Sequence, residues 1–385
     1  MNILVLTPVF PYPPGDGDRL RIFNLIKQMA KENKIYLISF IRNGEEKYIK
    51  FLNKYCEKTA VVYISKARII FNSIIALFSG KPLNVFSYYK SEMQKKINNF
   101  LKENKIDIIF AYRIRMTQYV NDIKIPKVLD MVDSLAYYMK NRLKFEKNIF
   151  SLLYLLIDYF RVLRYEKKLI QQFNYVFLNY EKDKKFLNSN KIIIISNGVD
   201  FDTKIKKNKK EKDRYKIGFF GDFRYAPNLD GINYFYKKVW KVVKKYGKNM
   251  ELIIAGKNSK ELKINDEKII KKGYIENIDE EIKNWNICIA PVRYGAGRQN
   301  KILKAWLNNV PVVATSFAAE GVYGRDGYNL LIADTAEEFA EKIFLLLKES
   351  KLVNKIVKNA NYTIKKYFDW NNSGKILNKI LRSLK

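Results

Sequence analysis

The stretch Ala290–Gly321, APVRYGAGRQNKILKAWLNNVPVVATSFAAEG, reads as strand, glycine turn, helix, strand and loop. Asn286 to Pro291 is an apolar strand, and Tyr294, Gly295, Ala296 and Gly297 turn the chain. A helix is expected from near Arg298 to about Asn308, a second buried strand from Pro311 to Thr315, and Ala318–Gly321 leaves its carboxyl end. A strand, a helix and a second strand in such close succession mark an α/β protein. Gly295 and Gly297 let the backbone turn tightly and lie close to a ligand. The unpaired N–H groups and positive dipole end of the following helix suit a diphosphate. Lys301 lies about one turn into that helix, and Arg298, three residues earlier, shares its face. The plainer reading is a strand–turn–helix whose glycines only make the turn.

Outward from this stretch the alternation continues. Apolar strands are expected at Ile3–Leu6, Lys34–Ile41, Ala60–Ile64, Ile106–Ala111, Pro126–Met131, Tyr175–Leu178 and Lys191–Ile195. A polar, Lys-rich run from Phe201 to Lys216 then separates them from Ile217–Gly221, Glu251–Gly256, Lys268–Tyr274 and Asn329–Ala333. The composition shift places a domain over 1–198, a linker over 199–216 and a second domain over 217–370. In open parallel sheets ligands bind outside the carboxyl ends of strands. That places Gly17, among Asp16, Asp18 and Arg19, and Asp130, Asp133 and Ser134 at candidate binding positions. Helix N-capping by Asp16, Asp18, Asp133 or Ser134 is compatible with the same residues.

With 385 residues, 48% of them hydrophobic, the chain can build two separate cores. It contains no His, which excludes Ser-His-Asp chemistry and His-based metal sites. Its two cysteines make no disulfide framework and fit a reducing, cytoplasmic compartment. The run Asn2–Phe10 lacks a positively charged flank and reads as a first strand, not a leader. Phe150–Phe160 contains Asp158 and is too short to span a bilayer, which takes ~20 residues. Net charge is +33. That favours anionic partners, although scattered lysines in a chain rich in Ile, Asn, Tyr and Phe also fit compositional drift. The apolar turns Ile69–Phe71 and Ile74–Phe78, near Lys66, Arg68 and Lys81, fit either packing on the sheet or lying on an anionic membrane surface, on the inner face of the membrane. No nucleic-acid-binding module is visible, so no nucleic-acid partner is expected.

GRQNKILKAW followed by PVVAT and AAEG resembles the nucleotide-sugar site of family 4 retaining glycosyltransferases, nearest the sugar transferases of exopolysaccharide clusters. The resemblance extends along nearly the whole chain, through TPVFPYPPGDGDRLR, LDMVDS, SNGVD and GDFRYAPNLDG, in the family's order. It implies a GT-B fold, two Rossmann-like α/β domains with parallel sheets facing a central cleft. The first would hold the acceptor and the second the donor, with the last helix, 371–385, packing back on the first. The implied reaction moves a sugar, with retention, from a UDP- or GDP-sugar to a glycan or lipid-linked acceptor in surface polysaccharide synthesis. It needs no metal or other cofactor. Arg298 and Lys301 would stabilise the leaving diphosphate, and Asp133 would act on the acceptor side. Gly17, Arg224, Asn228, Gly295, Gly297 and Glu320 would line the donor. Lys304 stands where the family carries the Glu that holds the donor ribose. An ammonium only donates hydrogen bonds and cannot replace that pairing. Glu320 could supply the carboxylate, or Lys304 could itself meet a phosphate or a sugar carboxylate. The alternative is a catalytically degenerate member of the fold that binds a membrane or a partner.

Overall fold

The structure, a computed structural model, describes residues 1–144, 146, 148–199, 214–246, 249–295 and 298–384. Contacts divide the chain into two units, Met1–Gly198 with Trp370–Lys385, and Val199–Asp369. Most of the expected linker, and Gly297, lie outside the described residues; Tyr215 already opens a strand.

The first unit is a seven-stranded sheet in the order β3-β2-β1-β4-β5-β6-β7. Its strands are β1 Asn2–Thr7, β2 Lys34–Ile41, β3 Lys58–Tyr63, β4 Ile108–Tyr112, β5 Lys127–Val132, β6 Tyr175–Leu178 and β7 Ile192–Ile194. All pairings are parallel. Continuous Val, Ile, Leu and Phe runs such as those of β1 and β4 are what a sheet covered on both faces requires, and β4 is buried throughout.

One face of this sheet is closed from the far end of the sequence. Trp370, Leu377 and Leu381 of the helix Trp370–Arg382 are buried in the same core as Ile22, Leu25 and Ile26 of the helix Gly17–Met29. Each such side chain contributes about 1.5–3 kcal/mol. Polar contacts fix the register: Asn378 Nδ2 donates to the Gln28 carbonyl at 3.0 Å, and Ser373 Oγ donates to the Ser196 carbonyl at 2.7 Å.

The second unit is a six-stranded sheet in the order β10-β9-β8-β11-β12-β13. Its strands are β8 Tyr215–Phe220, β9 Met250–Ala255, β10 Ile269–Gly273, β11 Ile287–Ala290, β12 Val312–Ala314 and β13 Leu331–Ile332. These are also parallel. In both sheets strand order reverses at the first strand, between β1 and β4 and between β8 and β11. The carboxyl ends flanking such a reversal are where open α/β sheets leave room for a ligand.

Candidate functional site

Three strand ends crowd together in the second unit. Gly256 follows β9 with φ +119°, and a Cβ there would stand 2.1 Å from the Gly221 carbonyl oxygen. The backbone leaving β8 can approach that closely only because Gly256 has no side chain. The turn after β8 runs from Gly221 into the helix Ala226–Tyr234. The turn after β11 is laid against it: Gly295, at φ +141°, has its α-carbon facing the Tyr225 hydroxyl and the Pro227 ring, 3.2 and 3.3 Å from where a Cβ would be. The helix that follows spans Asn300–Leu307 and is the first to carry cations into the site.

Lys301 is the centre of this arrangement. It is buried, and its Nζ donates to Asn228 Oδ1 at 3.1 Å and to Gln299 Oε1 at 2.9 Å, with the Phe219 ring 5.4 Å away. Asn228 is held in turn by donating from Nδ2 to the Asp222 carbonyl at 3.0 Å. Among the described residues no carboxylate lies within ion-pair distance of Lys301. Burial pushes its ammonium down to about 8, against an opposing influence from Cys288. A buried cation solvated only by two amide oxygens attracts an anion strongly.

The other expected donor residues take different places. Arg298 does not share a helix face with Lys301. Gln299 has φ −85° and ψ 85°, so the helix begins only at Asn300. The Arg298 guanidinium instead lies over the Phe368 and Tyr323 rings, at 4.8 and 5.7 Å. Arg224 is mostly exposed and forks onto Asp222, with Nε–Oδ1 3.1 Å and Nη2–Oδ2 2.6 Å. Lys304 donates to Asp279 Oδ2 at 2.7 Å, and Asn308 Nδ2 donates to Asp279 Oδ1 at 2.8 Å. Asp279, from the short helix Ile278–Ile282, thus sets a carboxylate against the Lys304 ammonium. Glu320 does not leave β12 in a loop but ends the helix Ser316–Glu320, exposed, with Thr315 as its N-cap. Sequence reasoning missed Asp279 and Gln299. Gln299 sat inside the quoted GRQNK, but Asp279 is on a different strand's exit and carried no local signal.

In the first unit, polar residues gather after β1, β4 and β5. Arg21 is fully buried and forks onto Asp130 at the end of β5, Nε–Oδ2 2.8 Å and Nη2–Oδ1 3.0 Å; its Nη1 donates to the Ile195 carbonyl and to Asn197 Oδ1. Asp130 therefore orders the strand ends. Gly17 is not in the loop but is the first residue of the helix Gly17–Met29, with Asp16 as N-cap accepting from Arg19 N at 3.0 Å. Asp18 is held below its ordinary value although burial opposes this, because Arg113 pairs with it. Arg113 follows β4 at φ 64°, a conformation few non-glycine residues adopt and one that gathers at functional sites. Its Nη1 also lies 3.9 Å from Asp133 Oδ2.

Asp133 is a quarter exposed, and its Oδ1 has no hydrogen-bond partner among the described residues. Burial pushes its carboxyl up, against Arg113 and Arg21. Ser134, not Asp133, caps the helix Leu135–Leu143 by accepting from Tyr137 N at 3.0 Å. Two further carboxyls stand near. Asp183 is fully buried, and burial and then Asp133 push it up. Glu166 accepts from Ser134 Oγ and Leu135 N, both at 2.7 Å, and burial pushes it up to about 7. Glu166 was visible in sequence as an acid among the apolar positions Val162, Leu169 and Ile170 of one helix. Its folded value lies above the unfolded one, so its contribution is whole below pH ~4.5 and is lost as pH rises through about 7. Glu166→Gln, which mimics the protonated form, should be more stable than the parent at pH 8 by about 3 kcal/mol and near parity at pH ~4.5. Urea unfolding at the two pH values measures this.

The sequence profile of the family Glycosyl transferases group 1 matches residues 214–349, most of the second unit. A curated relative, an uncharacterized 44.6 kDa protein in the cps region of Klebsiella pneumoniae, is 26% identical over 95% of this chain and 98% of its own. Among solved structures, sucrose-phosphate synthase from Thermosynechococcus elongatus superposes with a TM-score of 0.72 at 12% identity, covering 100% of this chain and 99% of that one. Anabaena HepE in complex with UDP gives 0.65 at 14% identity, with both chains fully covered. A variant of S. aureus TarM in complex with Fondaparinux, alpha-GlcNAc-glycerol and UDP gives 0.67 at 12% identity, covering 100% and 99%. The two Rossmann-like α/β units with parallel sheets are those of the GT-B fold.

Proposed function

We propose that the chain is a retaining glycosyltransferase that moves a sugar from a nucleoside-diphosphate sugar to a hydroxyl of a glycan or lipid-linked acceptor. The observation that carries this is Lys301: a buried ammonium at the strand-order reversal of the second sheet, held among the described residues by neutral acceptors. The solved neighbours include proteins in complex with UDP and UDP-glucose, and the Klebsiella relative comes from a cps region, in keeping with surface polysaccharide synthesis. In the transfer, the acceptor oxygen bonds to the anomeric carbon as the bond to the diphosphate breaks. The electron pair leaves with the diphosphate, and one of its phosphate oxygens takes the hydroxyl proton. Lys301 and the N–H groups around Gly295 stabilise the charge that develops there. No His and no enzymic nucleophile is needed. Asp133, whose Oδ1 has no partner among the described residues, is the acceptor-side group in this reading.

Lys304 replaces the family's ribose-binding Glu, and Asp279 returns a carboxylate to its head. In this reading Asp279 accepts from the ribose hydroxyls and Lys304 positions it. Calorimetric titration with UDP, GDP, UDP-glucose and GDP-mannose tests the proposal. One nucleotide should bind at about micromolar Kd. Asp279→Ala should weaken it tenfold or more, the loss of a charge-assisted hydrogen bond. Lys304→Glu should bring no gain, because it faces Asp279 with a like charge. Binding that appears only in Lys304→Glu would instead mean an inherited fold with a lost donor site, the degenerate reading.

A further inference from the structure

In the first unit the helix Lys66–Phe78 is turned the unusual way round. It buries its small residues, Asn72 and Ala76, and exposes its large apolar ones. Ile70, Phe71, Ile74 and Phe78 are 62, 54, 54 and 87% exposed. The orientation is fixed from inside, since Asn72 Nδ2 donates to the carbonyls of Ser87 at 3.1 Å and Tyr89 at 2.8 Å. Ile69 and Ala76 turn inward, and the other apolar side chains of the run stay exposed rather than packing on the sheet.

The amino-terminal half of the helix Ile149–Gln172 does the same. Ile149, Phe150, Leu153, Ile157 and Phe160 recur at helical spacing and are 45 to 81% exposed. The two helices meet. Arg161 Nη2 donates to the Leu77 carbonyl at 3.4 Å, and Asp158 Oδ1 accepts from Leu83 N just beyond the first helix at 3.5 Å. Their exposed side chains belong to one region of surface, far more apolar than the scattered residues of an ordinary exterior.

Charge decides what covers it. From Lys58 to Ser91 there is no Asp or Glu, and Lys66, Arg68 and Lys81 are exposed. From Asn148 to Lys168 the only acids, Asp158 and Glu166, are buried, while Arg164, Lys167 and Lys168 are exposed. A like-charged second copy would be repelled across such a face, whereas an anionic bilayer attracts the basic rim and takes up the aromatic and aliphatic side chains. Among the described residues no helix is long and apolar enough to cross a membrane, so the contact lies in the interface plane.

We infer that this face of the first unit docks on an anionic lipid bilayer, with Phe78, Phe150 and Phe160 entering the acyl boundary. The inference does not rest on the transfer reaction, and binding is measured without nucleotide. The full chain is sedimented with vesicles of 30% phosphatidylglycerol in phosphatidylcholine and with pure phosphatidylcholine. The first should bind it at least about tenfold more strongly, and added salt should weaken that binding. Phe78→Ser with Phe150→Ser, both at exposed positions, should lower the partition coefficient by about a hundredfold and leave the melting profile unchanged. Arg68→Glu with Lys81→Glu should erase the preference for the anionic vesicles. Equal binding of the phenylalanine variant would overturn the inference and leave general charge attraction. So would failure to bind vesicles, including the case in which sedimentation shows a dimer that the phenylalanine variant dissociates.

Discussion

Lys301→Met should yield a protein that is more stable without ligand and binds its nucleoside diphosphate at least about a hundredfold more weakly. Both effects come from one fact, a buried ammonium whose hydrogen-bond acceptors among the described residues are the amide oxygens of Asn228 and Gln299. Burial lowers Lys301 from its ordinary value to about 8. The folded state therefore binds fewer protons than the unfolded one between pH ~8 and ~10.5, and stability rises with pH across that window. Below it, holding the charge costs about 3 kcal/mol. Methionine fills similar volume and removes the cost, so the gain should be seen in thermal unfolding at pH 7 and should vanish above pH ~10.5. A bound diphosphate reverses the balance by favouring the ammonium. Two charge-assisted hydrogen bonds lost at about 1.5–3 kcal/mol each account for the affinity loss. Titration in buffers of different ionisation enthalpy should also show proton uptake on binding above pH ~8, in the parent only. Equal affinities for parent and variant would remove Lys301 from the donor site.

Arg21→Met should destabilise the first unit by about 3–5 kcal/mol and leave the second unaffected. The substitution strands the Asp130 carboxylate in a fully buried position and removes the donor to the Ile195 carbonyl and Asn197. Breaking a buried pair from one side is the costly case; replacing both members with apolar groups is often close to neutral. Arg21→Met with Asp130→Leu should therefore recover most of the loss. Hydrogen exchange resolves the two units: residues 1–198 should lose protection in the single variant, while 214–349 should keep it.

The elements of both sheets were legible because parallel strands buried on two faces read as unbroken apolar runs, as in IIFAY of β4. Lys301 was legible because a glycine turn before a helix confines it to a strand end. What surrounds it was not, since Asn228, Phe219 and Gln299 come together only after the sheet has ordered its strands. Arg298 was misplaced because a single residue, Gln299, leaves helical geometry and turns the guanidinium to Phe368 and Tyr323. Arg21, in the first turns of the helix Gly17–Met29, could be matched by pattern, but its partner lies more than a hundred residues away. In Lys66–Phe78 the sequence gives an amphipathic helix but not which side faces in; Asn72 decides that through carbonyls supplied by a later turn.

The helix Trp370–Arg382 has a consequence for how the molecule is made. It completes the core around Ile22 and Leu25, yet it is translated after the whole of Val199–Asp369. On the ribosome, the earlier-synthesised half must wait, with the core around one sheet face incomplete, while the later one has all its strands and closes its own entry and exit through the Val199–Asp369 bridge. Assembly thus runs against the direction of synthesis: the unit begun second is finished first, and a nascent chain halted near residue 198 exposes apolar surface that Trp370, Leu377 and Leu381 later hide.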